Sequence, residues 1–125
     1  MKKFLLIMCL VLGITGCSHN ELPLPEPESG MFRSGTTLKD VENILFDACS
    51  QAKWQIKEKG QNFMKINLDW REYNFDATIE YTTSRYSINF DRVNRDKGKL
   101  KDAYAQYKKY ALKLNRTIQK NTSLK

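Results

Sequence analysis

Apolar residues recur at three- and four-residue intervals through Leu38, Val41, Ile44, Leu45, Ala48, Cys49 and Ala52, the spacing of one face of an α-helix. Thr36-Thr37 ahead of them supplies a threonine N-cap, and Asp40 places a carboxylate in the first turn, so a helix is expected to run to about Gln51. From Trp54 the period falls to two. Trp54 and Ile56 alternate with lysine and glutamine up to a turn signal at Lys59-Gly60. Met64, Ile66, Leu68 and Trp70 form a second alternating run, Tyr73 to Tyr81 a third, and Tyr86, Ile88 and Phe90 a fourth, with turns at Arg71-Glu72 and Thr82-Thr83-Ser84. Asn94 to Lys99 lacks apolar periodicity and reads as a loop. Leu100, Tyr104, Tyr107, Ala111, Leu114 and Ile118 then restore helical spacing in a second helix.

Helix, four strands, helix is the expected order. Each helix has one stripe to bury and the sheet one apolar face. The expected fold is therefore α+β, a two-layer sandwich: a four-stranded antiparallel meander with one face covered by an N-terminal and a C-terminal helix. The other sheet face is expected to be polar and wet. Substitution of Tyr104 or Ile118 is expected to unfold it.

The pattern before residue 36 is of another kind. Met1-Lys2-Lys3 precedes an apolar run from Phe4 to Ile14, and small Gly16 precedes Cys17. A run of eleven residues, broken only by Gly13, is too short to span hydrocarbon, which needs about 20. Leu12-Gly13-Ile14-Thr15-Gly16-Cys17-Ser18 resembles the lipobox of bacterial lipoproteins, in which a peptidase cuts before a cysteine whose sulfur carries lipid. That resemblance implies removal of residues 1–16 as a signal peptide, lipid on Cys17 and, with Ser18 next, release to the outer membrane. The alternative is an ordinary secretory signal with a coincidental cysteine. Residues 17–35 hold Pro23, Pro25 and Pro27 and no core face, so they read as a tether from Cys17 with an extended reach of roughly 55 Å. Residues 36–125 then make one α+β domain.

Removing residues 1–16 leaves 109 of the 125, enough for one domain. Cys9 leaves with the leader and Cys17 takes lipid, so Cys49 has no partner in its own chain and is expected to be a buried thiol. The formal charge of +7 becomes +5 without Lys2 and Lys3. Residues 92–125 carry eleven Lys or Arg against Asp96 and Asp102, a balance of +9, whereas residues 17–91 carry eight basic and twelve acidic groups, a balance of −4. This asymmetry concerns association with anionic surfaces rather than fold.

Lys101, Lys108, Lys109, Tyr110, Lys113, Arg116 and Lys120 on the second helix are the candidate partner-binding residues. A solvated helix face is their plain reading. An acidic envelope protein or anionic lipid is the expected partner, and nucleic acid is excluded by export and by the lack of a recognition motif. Charge reversal at Lys108, Lys109 and Lys113 is expected to weaken capture and spare folding. His19, the only histidine, lies in the tether, where nothing fixes it as a general base. Asp69, Asp76 and Asp91 are expected on the polar sheet face, neutralised across strands by Lys65, Arg71 and Arg85. No metal set, catalytic set or cofactor is expected apart from the lipid on Cys17. Asn115-Arg116-Thr117 and Asn121-Thr122-Ser123 match a glycosylation sequon by chance.

Trp54-Gln55-Ile56, Ile79-Glu80-Tyr81, Tyr86-Ser87-Ile88 and Tyr107-Lys108-Lys109-Tyr110 with Leu114 and Ile118 resemble a family of small proteobacterial lipoproteins of uncharacterised function. The chain departs from that pattern at Lys108, where the family often has asparagine, and at Tyr110, where it often has tryptophan. The functional expectation is a non-catalytic membrane-anchored envelope lipoprotein at the periplasmic face of the outer membrane, serving as a binding or accessory module. A small-ligand or lipid/lipopolysaccharide-binding domain is the alternative, a hydrolase a third reading, and the cell surface or inner membrane the alternative locations.

Overall fold

The computed structural model describes residues 22–123. The leader, Cys17 and His19 lie outside the described residues. The elements in chain order are β1 (Glu28–Met31), α1 (Leu38–Gln51), β2 (Gln55–Gly60), β3 (Phe63–Trp70), β4 (Tyr73–Tyr81), β5 (Arg85–Arg95) and α2 (Leu100–Ser123).

Thr37 caps α1, its side chain accepting from the Asp40 amide at 3.1 Å and satisfying one of the four unpaired amides of a helix start. At the other end the Lys53 amide donates to the Ser50 carbonyl at 3.2 Å and the Trp54 amide to the Cys49 carbonyl at 2.8 Å. This is a Schellman closure, and it turns the chain directly into β2. The β2–β3 turn falls at Gln61-Asn62, two residues past the expected Lys59-Gly60. Asn62 supplies the left-handed backbone there, and the Phe63 ring covers Gly60 across the hairpin.

The sheet is antiparallel throughout, in the order β1-β5-β4-β3-β2. It has five strands, so the expected four-stranded meander is corrected. The fifth strand, β1, comes from the stretch read as a tether. Glu-Ser-Gly-Met has no alternating apolar residues, and β1 is held instead by backbone pairing to β5 and by closeness to α2. Gly30 permits that approach: a Cβ there would lie 2.4 Å from both the Tyr86 hydroxyl and Gln119 Nε2. The polar junction behind it is well connected. Tyr86 donates to Asn115 Oδ1 and accepts from Gln119 Nε2 at 2.7 Å, while Asn115 Nδ2 donates to the Ser29 carbonyl at 3.3 Å.

A second departure lies at the end of β5, where Asn94 and Arg95 belong to the strand rather than to a loop. Two register shifts against β4 carry it that far. Both helices cover one sheet face. Val41, Ile44, Leu45, Ala48 and Cys49 of α1 and Tyr107, Ala111, Leu114 and Ile118 of α2 meet Met64, Ile66, Leu68, Phe75, Ile79 and Ile88. Tyr107 is the hub. Its ring stands edge-on to Trp54, Phe75 and Phe90 at centroid distances of 6.2, 5.7 and 4.9 Å, the geometry aromatic quadrupoles favour. The space between helices and sheet is thus filled by side chains, where the small-ligand alternative needed a pocket.

Candidate functional site

The basic candidates on α2 divide into two groups. Lys109, Lys113, Arg116 and Lys120 recur at four, three and four residues and so form one exposed stripe. Lys101 and Lys108 are exposed on a different flank, beside the segment Leu22–Glu26, with which they and Tyr104 and Ala105 frame a shallow groove of about 430 Å³. Between the two groups lies Leu112, 37% exposed, with Lys108, Lys109 and Arg116 three or four residues away along the helix. Tyr110 belongs to neither. It is half-buried, its ring 6.5 Å from that of Trp70, with Lys109 Nζ 5.8 Å from its centroid and the Arg71 guanidinium 5.0 Å from Trp70. Among the described residues none of these six cations forms an ion pair within 4.0 Å. The charge of α2 is therefore turned outward.

The arginines of β5 behave differently. Arg92 pairs with Asp76 at 3.0 Å and Arg95 with Asp69 at 2.5 Å, while Asp91 accepts from the Thr78 hydroxyl at 2.6 Å. The expected partners Lys65, Arg71 and Arg85 are not the ones used, because the shifts in β5 move Arg92 opposite Asp76 and Arg95 opposite Asn74. An amide ladder completes the face: Asn67 Nδ2 donates to Asn74 Oδ1 at 2.8 Å and to Asp76 Oδ1 at 2.7 Å, and Asn94 Nδ2 donates to Asn74 Oδ1 at 2.8 Å. Burial raises the Asp76 pKa, but hydrogen bonds from Asn67 and Asn94 and the Arg92 charge outweigh it and leave the value lowered. Asp69 is lowered chiefly by its hydrogen bond from Arg95. These carboxylates are fixed anions, engaged from several sides.

At one end of this face the polar ladder gives way to a groove of about 870 Å³, open to solvent. Ser29, Met31, Phe63, Glu80, Arg85 and Ser87 line it, brought together by the pairings Met31 with Arg85, Ser29 with Ser87 and Phe63 with Glu80. Met31 is 69% exposed, and Arg85 has no ion pair within 4.0 Å among the described residues. The sequence pattern marks none of these positions as a binding site, and Arg85 reads there only as a cross-strand counter-ion. The available signals were Phe63, which stands in the polar phase of β3, and Met31, an apolar residue in an otherwise polar stretch.

The Cys49 thiol is 1% exposed, and burial pushes its pKa up to about 12, which keeps it protonated and unreactive in the fold. Among the described residues no group of three His, Cys, Asp or Glu could hold a metal ion, and no helix is long and apolar enough to cross a membrane. Of the two sequons, Asn115 is engaged by Tyr86 and Asn121 is 8% exposed.

No family model, no curated protein and no solved structure matches the chain. The resemblance to a family of small proteobacterial lipoproteins is therefore not upheld. Its residues explain why it arose: Trp54, Ile79, Tyr81, Tyr86, Ile88, Tyr107, Leu114 and Ile118 are all core positions. Any sandwich with this order of elements asks for large apolar residues there, whatever its ancestry.

Proposed function

We propose that this chain is a lipid-anchored, non-catalytic binding module of the bacterial envelope, held through Cys17 at the periplasmic face of the outer membrane. Its ligand site is the groove at the open end of the sheet. The observation that carries this reading is the groove's composition: Met31 and Phe63 line it beside Glu80 and Arg85, and Arg85 has no ion pair within 4.0 Å among the described residues. Such a site suits an extended peptide segment that offers one apolar side chain and a carboxylate. Asp69 and Asp76 are held as carboxylates by hydrogen bonds and ion pairs within the sheet, which suits structural counter-ions of the uncovered face.

The test is capture from envelope extract by the wild-type chain and by Met31→Glu and Arg85→Glu, both at exposed positions. A peptide or protein retained by wild type and reduced at least about tenfold by either substitution is the expected result. Equal retention by all three chains contradicts it. The groove's size also falls within the range of small-molecule sites, about 300–1,000 Å³, so the small-ligand reading moves here from between the layers. A bound small molecule in native mass spectra, displaced by Met31→Glu, would favour that second reading.

A further inference from the structure

We infer that the outward face of α2, together with Leu22 and Leu24, is a membrane-docking surface for the anionic headgroup layer beneath the anchor. The geometry rests on the lipid-anchored reading above. Leu22 to Glu26 lie beside Lys101, Tyr104, Ala105 and Lys108, so the described chain begins against the basic helix. Only five residue steps separate Cys17 from Leu22, a reach of at most about 17 Å. The stand-off of roughly 55 Å expected from an unpaired tether does not apply, because residues 28–31 are built into the sheet. A reach of at most about 17 Å lets the basic helix approach to within the screening length of about 8 Å, the distance over which surface charge acts at physiological salt.

The surface has the chemistry of an interfacial contact. Leu22 and Leu24 are 42% and 64% exposed, and Leu112 is 37% exposed among Lys108, Lys109 and Arg116. Apolar side chains ringed by unpaired cations suit an anionic headgroup layer, where the leucines enter the acyl boundary and the cations meet phosphates. Docking in this way points the sheet groove away from the membrane, since the sheet lies between α2 and that groove.

Lysine footprinting on vesicles tests this. The chain beginning at Cys17 is coupled through that thiol to a maleimide lipid, Cys49 being buried and unreactive, so the anchor is imposed and only docking is read. Acylation by an impermeant reagent is followed by mass spectrometry on phosphatidylcholine vesicles with and without about 30% phosphatidylglycerol. The expected result is at least about fivefold slower acylation of Lys101, Lys108, Lys109 and Lys113 on the anionic vesicles, with Lys57 and Lys65 unchanged. The protection should be lost at about 0.5 M salt and in the Leu112→Glu, Arg116→Glu double variant. Equal rates on both vesicles, or uniform slowing of every lysine, would overturn the inference. Failure of the native chain to carry lipid would be seen separately, in the mass of its N-terminal peptide, and would count against the anchor rather than the surface.

Discussion

Three residues other than glycine hold left-handed backbone among those described: Lys53 at φ 70°, Asn62 at φ 67° and Arg71 at φ 52°. Each closes an element. Lys53 sits where a Schellman closure favours glycine, so Lys53→Gly should raise stability by about 0.5–1 kcal/mol, read as a shift in urea midpoint. Asn62 gains from its side chain, whose Nδ2 donates to the Tyr81 carbonyl at 2.9 Å. Gly30 presents the opposite case. A Cβ there would lie 2.4 Å from Tyr86 and Gln119, and Gly30→Ala should cost about 1–3 kcal/mol while loosening β1. Cys49 was legible as a buried thiol because it falls on the apolar stripe of α1. Its pKa is raised in the fold, so its contribution is complete below the ordinary thiol value of 9.0 and declines as pH climbs past it toward about 12. A thiol reagent at pH 8 should leave Cys49 untouched in the native domain and modify it in urea. Reaction in the native domain would contradict its burial.

The elements differ in how openly the sequence announces them. α1, the three hairpin-linked strands β3, β4 and β5, and α2 bury one side each, and burial writes a period that can be read directly. β1 buries almost nothing of its own, so a four-residue edge strand held by backbone pairing left no period to read. The counter-ions of the sheet were hidden for another reason: Arg95 reads as loop, and register shifts in β5 set Arg92 opposite Asp76 and Arg95 opposite Asn74, which alternation alone does not give. Asp69, Asp76 and Glu42 have folded values below their ordinary ones, Glu42 through hydrogen bonds from Lys59 and Tyr81. Their stabilisation is therefore complete above the ordinary carboxylate range and is lost as pH falls through the lowered values. Urea midpoints measured between about pH 5 and pH 2.5 should fall, and Asp76→Asn should flatten that fall. On α2, Ile118 is fully buried whereas Tyr104 is half-buried with its ring 5.4 Å from Phe90. Ile118→Ala should cost about 2–5 kcal/mol and Tyr104→Ala less, which separates two residues the helical spacing treats alike.

For the molecule as a whole, the two layers present chemically different surfaces. The helical layer carries the outward cations and the neighbouring segment Leu22–Glu26, and the uncovered sheet face carries the neutralised ladder and the groove. Composition already gave the basic end of the chain, but not that Leu22, Leu24 and Leu112 lie among its lysines. Met31, Phe63 and Arg85 were equally hidden, because antiparallel register gathers them from three strands distant in sequence. Both proposed roles rest on the proposed anchor. The most direct measurement is the mass of the N-terminal peptide of the chain recovered from the membrane fraction. The account predicts a peptide that begins at Cys17 and carries a diacylglyceryl group on sulfur and an acyl group on its amine. An unmodified Cys17, or a peptide still joined to residues 1–16, would contradict it.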